Sequence, residues 1–177
     1  MFRKLLIATT ILGLSSGLAL ASNSPYVGVS VGALDNTSTN ANFRGMPVTV
    51  FAGFGGEINN GITLAGEVYG VPVTGIITDH GLRNTYGYGV SLLPGVMISD
   101  HTMGYLRVGL VRTHFTPSGG RTSTISGGQV GVGLQTTLMQ NWDLRGEYTY
   151  TGYNNITNVA GAPKQDQFDL GLVYKFE

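Results

Sequence analysis

The chain contains no cysteine. That excludes a disulfide-stapled scaffold and any thiolate metal site. Charge is scarce as well, at 11% of residues, against about 25% in an ordinary soluble domain. So few charges cannot dress a water-facing surface. No basic patch is present, which argues against a nucleic-acid partner. Beyond the first 21 residues, no segment approaches the ~20 apolar residues that a membrane-spanning helix needs. The three histidines, His80, His101 and His114, do not fall at metal-ligand spacing. No metal site, cofactor or catalytic machinery is therefore expected.

The first 21 residues read as a secretory leader. Arg3 and Lys4 form the positive start, Leu5 to Leu14 the apolar run, and Ala19-Leu20-Ala21 a small-x-small cleavage site before Ser22. Ser15, Ser16 and Gly17 interrupt a run already too short for a spanning anchor. Without the leader 156 of the 177 residues remain, 22–177. Two of the ten basic residues leave with it and all ten acids stay, giving a net charge of −2.

What the mature chain has is alternation, with 28 glycines and nine tyrosines in the full sequence. The clearest stretch is 129–153. Val130, Val132, Leu134, Thr136 and Leu138 share one face, and Gln129, Gly131, Gly133, Gln135 and Thr137 the other. After a tight turn, Trp142, Leu144, Gly146, Tyr148 and Tyr150 alternate with Asp143, Arg145, Glu147, Thr149 and Thr151. A period of two over about ten residues per arm is a strand signal. Six further segments complete the set: strands are expected near 26–33, 47–56, 62–71, 85–98, 102–115, 129–138, 142–151 and 167–176. Short turns at Asn59-Asn60-Gly61, Ser99-Asp100-His101 and Gln140-Asn141 alternate with four long polar loops, 34–45, 72–84, 116–126 and 154–166. Pro94 falls inside a strand and predicts a bulge there.

Eight strands joined alternately long and short predict an all-β, eight-stranded antiparallel up-and-down transmembrane barrel. The three short turns and both termini would lie in the periplasm and the long loops outside. A soluble lipocalin-type barrel that binds an apolar ligand is the alternative fold. It would carry Lys and Glu on its outer face, whereas the polar face here is mostly Gly, Ser, Thr and Gln.

Ile62-Thr63-Leu64-Ala65-Gly66-Glu67 aligns without gaps on Trp142-Asp143-Leu144-Arg145-Gly146-Glu147, and Tyr105-Leu106-Arg107 repeats part of it. Each segment starts a strand just after a short turn. In an eight-stranded barrel, just wide enough for side chains to fill, Glu67, Arg107, Arg145 and Glu147 are expected to form an interior charge network. Aromatic residues fall at the two expected interfaces: Tyr26, Trp142, Tyr174 and Phe176 near the periplasmic rim, and Tyr86, Tyr88, Phe115, Tyr150 and Phe168 near the outer rim.

Gly131-Val132-Gly133-Leu134 before Asn141-Trp142-Asp143-Leu144-Arg145-Gly146-Glu147-Tyr148, with the terminal run Phe168 to Phe176, resembles the OmpA-like family of small eight-stranded outer-membrane β-barrels, the porin-like and opacity proteins. The resemblance implies integration into the outer membrane as a monomer, contact with its lipid and lipopolysaccharide, and recognition of the C-terminal strand by the barrel-assembly machinery, with Phe176 as the aromatic signal. It implies a role in envelope structure or in adhesion to host surface molecules through the loops, or slow passage of small solutes as a narrow porin-like channel. His114-Phe115-Thr116 is similar to the His-x-Ser of outer-membrane lipid A deacylases. Thr116 replaces the serine, however, and no Glu lies near the outer ends of the neighbouring strands, so no enzyme activity is expected.

Overall fold

The computed structural model describes residues 24–38, 41–78, 82–117, 123–153 and 164–176. The leader assigned to residues 1–21 and most of the fourth outer loop lie outside the described residues. Eight strands form one closed barrel in sequence order. They are β1 Ser24–Ser38, β2 Ala41–Asn59, β3 Ile62–Thr78, β4 Leu82–Ser99, β5 Thr102–Pro117, β6 Ser123–Met139, β7 Trp142–Tyr153 and β8 Lys164–Lys175. Every neighbouring pair is antiparallel, and β1 closes the barrel on β8 from Tyr26↔Lys175 to Thr37↔Lys164. Closure leaves no strand edge unpaired, which a sheet in lipid requires.

The short turns fall where the sequence places them. Asn60 has φ 44° and Gly61 φ 83°. Positive φ at both central residues defines the hairpin turn that an Asn-Gly pair favours. The long connections differ from expectation. The segments read as loops at 34–45, 72–84 and 116–126 are largely strand, with Leu34↔Gly45 continuing to Ser38↔Ala41. Strand β2 reaches 19 residues, where about 9–11 suffice to cross a membrane. Polar residues stay in the ladder because hairpin partners continue to satisfy one another's backbone groups beyond the apolar band.

Pro94 makes no bulge. The ladder to β5 passes from Leu92↔Val108 to Gly95↔Tyr105 in unbroken register, and the register to β3 is likewise continuous at Leu64↔Pro94. Pro94 faces outward, and its missing N–H is absorbed as a local gap on the β5 side. The irregularities in β4 lie at Asn84/Tyr86 and Met97/Ser99 instead.

The apolar face points out. Val130, Val132, Leu134, Leu106, Val108 and Leu110 are all more than half exposed. Their polar-face neighbours Gln129, Gln135, Arg107 and Thr149 are buried in the lumen. This arrangement is the reverse of a lipocalin and excludes that alternative.

Lumen packing follows one rule. Each large inward aromatic lies over a glycine directly opposite it on the next strand: Phe51 over Gly28, Tyr26 over Gly53, Tyr69 over Gly89 and Tyr105 over Gly133. A Cβ at any of these glycines would collide with the ring. By contrast, a Cβ at Gly66, on the outer face, meets nothing. Gly133→Val should therefore displace Tyr105 and lower the melting temperature of the folded barrel by several degrees, as overpacking costs about 1–3 kcal/mol. Gly66→Val should leave it nearly unchanged. Equal melting of the two variants, followed on unheated gels, would refute the packing rule.

Candidate functional site

The middle of the lumen is filled by the side chains of alternate residues on β3, β5 and β7. Strands three and seven stand on opposite sides of the barrel, with β5 between them, so inward residues from all three converge on the axis. Glu67, Arg107, Arg145 and Glu147 meet there, each at most 7% exposed. Glu67 Oε1 lies 2.6 Å from Arg107 Nη2, and Glu67 Oε2 lies 2.6 Å from Arg145 Nη1. One carboxylate thus bridges two guanidiniums. Arg107 Nε also lies 2.8 Å from Glu147 Oε1, off the N–H direction, so that contact is an ion pair rather than a hydrogen bond.

A ring of neutral groups completes the network. Tyr26 donates to Glu67 at 3.0 Å, Tyr105 to Glu147 at 2.5 Å, and Arg107 Nη1 to Ser91 at 3.1 Å. Arg145 donates twice to Gln135 Oε1, at 2.9 and 2.8 Å. Its guanidinium also sits 4.6 Å from the Phe51 ring centroid and 5.4 Å from those of Tyr26 and Tyr105. Desolvated cation–π contacts of this kind contribute about 2 kcal/mol each. They matter here because they surround a charge that has left water.

Two further acids enter the lumen. Asp143 takes Lys175 Nζ at 3.1 Å and Gln135 Nε2 at 2.6 Å on its Oδ2. Asp169 has no cation within ion-pair distance among the described residues. Its Oδ2 accepts from Gln167 at 2.8 Å, its Oδ1 has no hydrogen-bond partner, and it stands directly opposite Glu147 in the β7–β8 register. A column of amides leads outward from it, Gln167 to Gln165 to Tyr153, with bonds of 2.9 and 2.8 Å.

The network divides the lumen. An inner chamber of about 190 Å³ at the turn end is lined by Tyr26, Thr63, Gln135, Asp143 and Arg145 among others. A smaller space of about 50 Å³ lies toward the loop end, under Gln129, Gln165, Gln167 and Asp169. Arg145 and its layer form the partition between them.

The sequence placed the four charges in the lumen but missed much of their support. Tyr26, assigned to the periplasmic aromatic belt, is instead 7% exposed and bonded to Glu67. Its even number matched it to the inward Gly28 and Ser30, and that parity was the signal. Asp143 and Asp169 share the inward parity of Arg145 and Gly171 and could have been found the same way. Of the remaining belt residues, Trp142, Tyr86, Tyr88, Phe168 and Phe176 are exposed outward, and Tyr150 and Tyr174 are half-buried on the same face. Trp142, Tyr174 and Phe176 pack edge to face at centroid distances of 5.1 Å. The Phe115 side chain lies outside the described residues. His114 stacks on Tyr86 at 4.1 Å, and its Nδ1 has no hydrogen-bond partner.

A closed eight-stranded barrel with an apolar outer face and a polar, plugged lumen is the architecture of an outer-membrane β-barrel. The chain belongs to the outer membrane protein beta-barrel domain family, whose model matches residues 6–176. Its fold is that of Neisserial surface protein A (NspA), at TM-score 0.66 and 20% identity over 88% of this chain and 99% of that one. Ail, the attachment invasion locus protein of Yersinia pestis, is similar at TM-score 0.57 and 17% identity over 87% and 97% of the two chains. No curated protein matches the chain in sequence. Family membership orients the barrel, with the short turns in the periplasm and the longer connections outside.

Two substitutions probe the partition. Glu67→Ala leaves two buried guanidiniums without their shared counter-charge and should destabilise the barrel by about 3–5 kcal/mol, read from urea unfolding in detergent. Asp169→Asn keeps an acceptor for Gln167 and removes a buried charge that faces Glu147. It should stabilise the barrel by about 1 kcal/mol, a rise in melting temperature of roughly 2–4 °C. A fall in melting temperature would show that the Asp169 charge is compensated.

Proposed function

We propose that this protein is a sealed outer-membrane anchor that acts at the cell surface, in attachment or envelope contact, through the strand extensions and connections beyond the outer leaflet. The observation that supports this reading is the partition: the ion pairs of Glu67, Arg107, Arg145 and Glu147 lie between two separate lumen cavities. A barrel plugged in this way offers its outer end rather than its bore. The long β1–β6 strands fit this role because they continue as paired hairpins well past the 9–11 or so residues that span lipid. In the same proposal, residues 1–21 serve as the export leader and the strand ending at Phe176 is read by the barrel-assembly machinery.

Two features favour surface contact. The similar barrel Ail is named as an attachment protein, and one of its structures is in complex with the heparin analogue sucrose octasulfate, at TM-score 0.50 and 18% identity. On this chain, an outward groove of about 360 Å³ near the loop end is lined by Ala33, Asp35, Arg44, Tyr148, Asp166 and Phe168. Its apolar floor suits an acyl chain, while Asp35 and Asp166 beside Arg44 leave phosphate to the other exposed cations of the rim. Arg44 pairs with Asp35 at 3.1 Å and stays exposed, and Arg112 and Lys164 are also exposed. Lipopolysaccharide is the partner this rim fits.

The reading is tested on the purified barrel and on cells that carry it. The wild-type barrel should give no stable conductance in planar bilayers. Deleting residues 154–163 should abolish adherence of the cells to host surfaces while the barrel still assembles. Steady conductance in the wild type, with adherence unaffected by the deletion, would establish a narrow porin instead.

A further inference from the structure

We propose that the periplasmic chamber is a binding site for a soft monovalent cation, cuprous or silver ion, held by the thioethers of Met97 and Met103 and the imidazole of His101. Met97 and Met103 are direct register partners across the β4–β5 hairpin. Both have the inward parity of Gly95 on β4 and Tyr105 on β5, Met97 being 38% exposed where the chamber opens at the turn end. Residues opposed in this way hold their Cβ atoms about 4.5–5.5 Å apart, close enough for two flexible thioether arms to converge on one ion. His101 lies in the turn of the same hairpin, two residues before Met103. Its carbonyl accepts the Thr137 N–H at 2.8 Å, which fixes the turn. All three side chains line the one chamber of about 190 Å³.

The bland alternative is that the methionines fill space. Methionine does that well in irregular cores, but here the space beside it is unfilled. The remaining methionines of the described residues, Met46 and Met139, face outward and are at least half exposed. Among the described residues, the only donor to either thioether is Thr63 Oγ1, 3.9 Å from Met103 Sδ, a weak interaction that leaves the sulfur's lone pairs available. The charged groups that line the chamber balance, Asp143 and Glu57 against Arg145 and Lys175, so the neutral donors carry the selection. Asp143, 2% exposed, is one of the lining residues; its Oδ2 pairs with Lys175 and its Oδ1 has no hydrogen-bond partner. Glu57 is also there, and one of its oxygens accepts the Gly61 N–H at 2.6 Å.

The donor set decides which cation. Two thioethers and an imidazole are neutral, soft ligands. Calcium and magnesium need several oxygens, and zinc prefers thiolate, imidazole and carboxylate. Thioethers select the d¹⁰ monovalent ions. Binding needs no electron transfer, because silver ion carries the required charge already.

Silver nitrate titrated into untagged, folded barrel in chloride-free buffer is the direct test, followed by calorimetry and repeated with cuprous ion in competition with a coloured chelator. One equivalent should bind. The double variant Met97→Leu/Met103→Leu, close to isosteric, should lose at least the roughly 10–100-fold in affinity that even a supporting partner of a metal ligand is worth. His101→Ala should lose a smaller factor. The control Met46→Leu/Met139→Leu should bind as the wild type does. Unheated gel migration confirms that each variant is folded. If silver does not bind, or binds equally to the lumen double variant and the wild type, the site does not exist.

Discussion

The width of an eight-stranded lumen governs everything inside this barrel. The space is just sufficient for side chains. Any charge that enters must meet its counter-charge there, and any ring that enters must find a gap. Glu67 answers the first demand by bridging Arg107 and Arg145 with its two oxygens. Glycines 28, 53, 89 and 133 answer the second by standing opposite Phe51, Tyr26, Tyr69 and Tyr105. The two answers are linked. Tyr26 and Tyr105 lie flat over their glycines, and that position lets their hydroxyls reach Glu67 and Glu147 while their ring faces lie near Arg145. A glycine on one strand thus helps hold a charge from another.

Stability and function follow from the same geometry. A buried ion pair is not in itself strong evidence for stability, because desolvation opposes its attraction. Its effect here is to make partial opening costly: separating any two members leaves an unpaired buried charge. The barrel is therefore a rigid support, and chemistry is left to its ends. At the loop end, the paired hairpins run on past the plugged middle and an outward groove is lined by Arg44. At the periplasmic end a chamber remains, with sulfur and imidazole donors on one hairpin. The middle keeps the two ends apart.

Asp169 is the exception that shows the limit of the plug. It is buried, opposite Glu147, and hydrogen-bonded only through a column of amides. Its charge falls outside the balance of the four central groups. A lumen tuned only for stability would hold an amide there.

Alternation determined the strands and their two faces, because side chains in a sheet repeat every two residues whatever surrounds them, and the small, charge-poor composition of the polar face determined that it and its four central charges point inward. The sequence also located the Asn60-Gly61 turn, where positive φ is a property of two residues and needs no tertiary partner. Three things were decided only by closure. The strands run on through segments that read as loops, since a polar residue stays in a ladder when its neighbour across the hairpin does. Pro94 keeps its register because strands on both sides hold β4 in place. Tyr26 belongs to the network and not to the rim, because its place depends on Gly53 of β2 and Glu67 of β3, residues that only the folded barrel brings beside it.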